Sequence, residues 1–132
     1  MATGAILSVQ ACQTSTNEKT PDKQFEDNFE LSEISIAGLL QAYENNTLSI
    51  VKVTQLYLDR IKSVDQSGPA LNAVIEVNPD AMDIARQLDE DLKNGNKKGP
   101  LHGIPIMLKD NIDTADKMMT TAGSLALEGN YA

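Results

Sequence analysis

A net charge of −8 over 132 residues argues against a nucleic-acid surface, because phosphate binding draws on clustered lysine and arginine. The single cysteine, Cys12, excludes an intrachain disulfide and any zinc site built on paired cysteines. The length suits one domain, yet aromatic residues make up 4%, Trp is absent, and the chain stops abruptly after Gly129-Asn130-Tyr131-Ala132, which agrees with a fragment or a truncated reading frame.

Residues 1–30 read as a polar tether, with Phe25 and Phe29 as its only large apolar side chains beyond the short patch before Cys12. That patch, Leu7 to Ala11, with Cys12 and the Ser/Thr-rich Gln13 to Thr20 after it, resembles the signal of a bacterial lipoprotein with its lipidated cysteine. Met1 to Gly4 carries no Lys or Arg, and the apolar core falls short of the roughly 7–15 residues of a full signal. The default location is therefore cytoplasmic, with export as a lipoprotein through Cys12 as the alternative. Membrane contact is expected only if Cys12 is lipidated.

Ile36, Leu39, Leu40 and Tyr43 recur at helical spacing and predict a helix over 33–45. Asn45-Asn46-Thr47 breaks it. Ser49 can cap a second helix over 49–64, whose Ile50, Val53, Tyr57, Leu58 and Ile61 form one stripe. Gln66-Ser67-Gly68-Pro69 ends it. Leu71 to Val77 is rich in β-branched residues and predicts a strand. Asn78-Pro79 then opens a helix over 79–94 with Asp80 and Asp83 at its positive end. Ala81, Ile84, Ala85, Leu88 and Leu92 form its buried face, while Asp89, Glu90 and Asp91 read as a solvated one. Gly95 terminates that helix.

A second strand is expected at 104–109, where the apolar run Ile104 to Leu108 is bounded by Gly and Pro. Strand, helix and strand form a βαβ unit, which is right-handed and parallel in nearly all cases. Ligands of such sheets gather beyond the carboxyl ends of the strands. Lys109 lies at such an end, and alternation along the strand turns Lys109 and Asp110 to opposite faces. A buried lysine sheds its proton more easily and can act as a general base; a solvated lysine at a strand terminus is the bland alternative.

The string Gly99-Pro100-Leu101-His102-Gly103-Ile104-Pro105-Ile106-Met107-Leu108-Lys109-Asp110-Asn111-Ile112-Asp113-Thr114, followed by Thr120-Thr121-Ala122-Gly123-Ser124, resembles the amidase signature family. The resemblance begins near Leu31 and covers residues 31–132, as the N-terminal part of such a domain; Thr120-Thr121-Ala122-Gly123-Ser124-Leu125-Ala126-Leu127 looks most like stand-alone enzymes of the peptide-amidase type. It implies an α/β fold in which helices lead into a βαβ unit of a mixed central sheet. It also implies a Ser-cisSer-Lys triad in which Lys109 is the lysine. A neutral lysine then takes a proton from a serine held by a cis peptide bond, and that serine activates the nucleophile that attacks the amide carbonyl. The substrate is a small-molecule or peptide amide, and no cofactor is involved.

The chain departs from the family by holding no Gly/Ser-rich loop with the two serines, and Ser124 belongs to a different element. Alone it is expected to be inactive. Two other readings stand beside the amidase fragment: a non-catalytic truncated product or interaction module, and the amidase subunit of a tRNA-dependent amidotransferase, which tends to carry Cys-Ala-Ser where this chain has Ala122-Gly123-Ser124.

Asp110, Asn111 and Ser124 are the residues placed to support Lys109, through loop hydrogen bonds of the kind Asx side chains make. His102, with no second ligand or acid beside it, reads as structural. Asp113 and Asp116 alone do not make a metal site, Met118 and Met119 read as packing residues, and Gly103 and Gly123 serve backbone geometry. The unfinished sheet is expected to leave an apolar edge exposed.

Overall fold

The computed structural model describes residues 28–132, so Cys12 and most of the expected tether lie outside the described residues. Three helices carry the core: α1 (Ile36–Glu44), α2 (Ile50–Arg60) and α3 (Ala81–Lys93). A π-helical turn, Ile61–Asp65, continues α2, and a short 3-10 turn, Leu125–Leu127, lies near the end.

Local chemistry explains where α1 and α2 begin. Ser35 Oγ accepts the Gly38 N–H at 3.0 Å, and Ser49 Oγ accepts the Lys52 N–H at 3.1 Å. Each serine satisfies one of the backbone donors that a helix start leaves free. Helix α1 stops at Asn45, and Asn46 follows in the left-handed region at φ 55°, which asparagine tolerates better than most side chains.

Helix α3 begins two residues later than the sequence predicts. The Asn78 carboxamide accepts the Asp80 N–H at 2.8 Å, so it closes a turn before the helix instead of capping it. Gly95 ends α3 as expected, at φ 74° with its N–H on the Leu92 carbonyl.

Leu31, Leu39, Tyr43, Ile50, Val53 and Ala85 form the buried core, with Ile104, Leu88 and Leu92 packed around it. Ile50 and Val53 are wholly enclosed, at 1% and 0% exposure. Ile36, placed on the apolar stripe by its spacing, is exposed instead. Phe29 packs on Tyr57, ring centroids 5.2 Å apart, and the Arg60 guanidinium lies 4.5 Å over the same ring. Packing therefore reaches at least two residues upstream of Leu31, into the segment read as tether.

The two expected strands are not formed. Among the described residues there is no β ladder, and 71–77 and 104–109 do not pair with each other. The first segment spends its backbone donors elsewhere. Asn72 N–H goes to the Asp65 carbonyl at 2.9 Å, and Ala73 and Val74 donate to the Asp65 carboxylate at 2.7 and 3.2 Å. Such local side-chain acceptors compete with ladder bonds. The second segment contains Pro105, which has no N–H to give. The expected βαβ unit is thus not formed among the described residues, and Lys109 does not stand at a strand end there.

What these segments share is exposed apolar surface. Leu71, Ile75 and Ile106 are each more than 60% exposed and Met107 73%; outside them, Leu125 is 90% exposed. The expectation of uncovered apolar surface is met in this sense, without the sheet that was to present it.

Candidate functional site around Lys109 and Asp110

The stretch from Leu101 to Lys109 is anchored at its start. His102 is buried, with Nδ1 accepting the Lys98 N–H at 3.2 Å and Nε2 3.0 Å from the Leu88 carbonyl. A backbone N–H can only donate and a carbonyl only accept, so these partners assign the neutral ring with its proton on Nε2. Both ring nitrogens are occupied by backbone groups, which makes the residue structural, as the sequence reads it.

Gly103 follows at φ 79° and donates no side chain to the core, where a Cβ would sit 2.3 Å from Ile50 Cδ1. The buried Tyr43 hydroxyl donates to the Gly103 carbonyl at 3.0 Å. Burial, aided by the negative charge of Asp89 and by Tyr57, pushes the Tyr43 phenol up to about 12.

At the far end, Lys109 is exposed, and its ammonium takes no partner among the described residues. Its own carbonyl accepts the Ile112 N–H at 3.0 Å, which turns the chain directly after the lysine. Of the two readings of Lys109 that the sequence leaves open, buried base and solvated lysine, this chain shows the solvated one.

Asp110 is engaged where Lys109 is not. Its carboxylate accepts the Thr121 hydroxyl and, at 3.1 Å, the Gly123 N–H; its carbonyl accepts the Ala122 N–H at 2.9 Å. Three consecutive residues thus donate to one. The Thr121 hydroxyl, followed by the backbone donors of Gly123, Thr121 and Ala122, holds the Asp110 carboxyl below its ordinary value. Ala122 and Gly123 both stand in the left-handed region, at φ 49° and 71°. That conformation costs an alanine about 1–2 kcal/mol, which the bonds to Asp110 offset.

Of the remaining expected supporters, Asn111 and Ser124 are exposed. Ser124 joins the turn only through its backbone, donating to the Thr121 carbonyl at 2.8 Å and accepting from Leu127 at 3.0 Å. The structure therefore brings Asp110 together with the Thr121–Gly123 turn, and does not bring Asn111 or the Ser124 side chain to Lys109.

Four buried or half-buried carboxylates, Asp89, Asp65, Asp116 and Asp91, carry structural roles that the sequence does not announce. Asp89, read there as solvated, is buried and accepts the Ile50 and Val51 N–H groups at 2.8 and 3.1 Å. Asp65 is buried and closes the 65–74 loop. Asp116 accepts from Thr114 Oγ1 at 2.9 Å and from the Met118 N–H at 2.8 Å. Asp91, also read as solvated, meets Lys98 at 2.7 Å, and that hydrogen bond holds its carboxyl below the ordinary value. A signal for Asp89 was present: it continues the spacing of Ala85 and Leu92 on the buried stripe of α3.

No group of three or more His, Cys, Asp or Glu among the described residues is arranged to hold a metal ion, and no helix there is long and apolar enough to cross a membrane.

Comparison with known proteins connects this geometry to a family. The model of the family described as Amidase matches residues 52–132. A Schizosaccharomyces pombe protein described as an amidase is 44% identical over 103 residues, which are 78% of this chain and 17% of that protein. One subunit of the glutamyl-tRNA(Gln) amidotransferase of Thermoanaerobacter pseudethanolicus is 39% identical over 103 residues, 77% of this chain and 20% of that protein. Among solved structures, the native peptide amidase of Stenotrophomonas maltophilia superposes with a TM-score of 0.75 at 47% identity, over 78% of this chain and 21% of that one. The chain thus spans about a fifth of the length of the relatives it matches, which come from eukaryotes as well as bacteria. On the extent of the family match, this chain belongs to the amidase family.

Proposed function

We propose that these residues are the N-terminal part of an amidase that hydrolyses carboxylic amide C–N bonds, with Lys109 as the base of a Ser-cisSer-Lys triad. The observations that support this most are the likeness to peptide amidase at 47% identity over 78% of the chain and the amidase-family match over residues 52–132, which includes Lys109. The two serines of the triad are then supplied by residues outside these 132.

The chemistry asks more of Lys109 than this chain provides. An amine becomes a base at neutral pH when it is desolvated, and Lys109 is exposed here. In the proposed whole domain the missing four-fifths cover it. The same cover gives 71–77 and 104–109 the ladder partners they lack, completing the βαβ unit, and buries Leu71, Ile75, Ile106 and Met107. Substrates are small-molecule or peptide amides, and this chain alone is inactive.

The test uses the full-length parent and a simple aryl or peptide amide, assayed across pH. Lys109→Ala and Lys109→Arg should both abolish hydrolysis, because a guanidinium stays protonated and cannot accept the serine proton. Arg-variant activity near wild type would overturn the assignment. Transfer of ammonia to a glutamyl-tRNA, with no hydrolysis of simple amides, would instead identify an amidotransferase component.

A further inference from the structure

We propose that Asp110 is the positioning residue for Lys109, and that it acts through the turn Thr121–Gly123 without touching the ammonium. The inference rests on the reading of Lys109 as the base. Residue 109 is pinned on its C-terminal side twice: its own carbonyl closes the turn with Ile112, and the next residue receives three donors from Thr121, Ala122 and Gly123.

Upstream, the same segment is fixed by the His102 ring and by the Tyr43 hydroxyl on the Gly103 carbonyl. The lysine backbone is therefore strung between two anchored points, while its side chain is left without a partner among the described residues. A flexible four-carbon stem finds one proton-transfer geometry only if its backbone does not wander, and a displacement of about 1 Å can cost about 100-fold in rate.

Thr121 is the removable half of the clamp. Its hydroxyl donates to the Asp110 carboxylate and also lies 3.2 Å from the Gly123 N–H, so it organises the turn from within. Replacement by valine keeps the shape and deletes the hydroxyl.

The experiment measures kcat and KM for amide hydrolysis by the full-length parent carrying Asp110→Ala, Thr121→Val, both together, and Thr121→Ser. Asp110→Ala and Thr121→Val should each lower kcat about 100-fold with KM within about twofold. The double variant should be no slower than the worse single one, since both break one unit. Thr121→Ser, which keeps the hydroxyl, should restore most of the rate. Should Asp110→Ala fail to fold, the Thr121 pair decides alone. Wild-type kcat in Thr121→Val, a loss that appears in KM instead of kcat, or additive losses in the double variant would each overturn the proposal. Lys109→Ala in the same assay separates the two levels. A dead Lys109→Ala beside an intact Thr121→Val removes only the positioning role, whereas an active Lys109→Ala removes the base and the positioning role together.

Discussion

Asp89 of α3 accepts the backbone N–H of Ile50, the first residue of α2, at 2.8 Å, and its second oxygen takes the next N–H, that of Val51, at 3.1 Å. A helix start leaves four donors without intrahelical partners and carries partial positive charge. Ser49 serves one of those donors locally. The buried carboxylate serves two more from a helix 39 residues away in sequence, and so fixes how α2 sits on α3.

Removing that carboxylate should loosen the pair of helices. Asp89→Ala leaves buried backbone donors unmet and should destabilise the chain by roughly 1–3 kcal/mol, while Asp89→Asn, which keeps one acceptor oxygen, should cost less. Urea unfolding of the three proteins checks this. Equal midpoints for Ala and wild type would show that water replaces the carboxylate.

Gly103 offers a second, steric test. Alanine there must adopt φ 79° and place its Cβ 2.3 Å from Ile50 Cδ1, in a side chain only 1% exposed. The left-handed conformation and the overpacking together should cost roughly 2–4 kcal/mol. Ile50→Val is no remedy, because it deletes only Cδ1 and leaves Cγ1 2.5 Å from the new Cβ; the unfolding midpoint of Gly103→Ala/Ile50→Val should therefore stay as far below wild type as that of Gly103→Ala.

What the sequence made legible follows from the range of the forces. Helices α1 and α2 depend on apolar spacing and on Ser35 and Ser49, all within a few residues, and the structure has both. The roles of Asp89 and Asp65 depend on backbone donors brought in by the fold, so a reading along the chain took Asp89 for a solvated residue and passed over Asp65. The strands at 71–77 and 104–109 were read from composition alone. A strand needs a partner, and composition names none; Asp65 meanwhile takes the backbone donors of Asn72, Ala73 and Val74. His102 was legible because nothing near it in sequence could make it a ligand or an acid. Lys109 is legible as a position in a family motif, whereas the choice between buried base and solvated lysine depends on what covers it, and in this chain it is exposed.

Tyr43 should respond to alkali. Its phenol is raised from 10.0 to about 12, chiefly by burial. A group with a raised pKa in the fold contributes stability that is complete below its unfolded value and is lost as pH rises through its folded value. Stability should therefore fall between about pH 10 and 12 in wild type. Tyr43→Phe should remove this component of the fall and, by leaving the Gly103 carbonyl without its donor, cost about 1 kcal/mol at neutral pH. Unfolding midpoints measured at pH 8, 10 and 11 for both proteins make the comparison, and identical alkaline slopes would remove Tyr43 from the account.

Asp110 should respond to acid, with the opposite sign. Its carboxyl lies below the ordinary 3.8, held there first by the Thr121 hydroxyl. A group with a depressed pKa contributes stability that is present above its unfolded value and lost as pH falls through its folded one. The clamp on Thr121, Ala122 and Gly123 should therefore hold at pH 5 and open as pH drops below about 3.8. Once protonated, the carboxyl is a weaker acceptor for the Gly123 N–H and the Thr121 hydroxyl, and its new donor has only the Thr121 oxygen to go to. The direct measurement is the amide signals of Ala122 and Gly123 by NMR between pH 6 and 2.5, with Asp110→Asn as the reference. In wild type these signals should shift with a midpoint below 3.8, while in Asp110→Asn they should stay flat through the same range. Matching titration curves in the two proteins would mean that another carboxyl controls the turn and that Asp110 does not hold it.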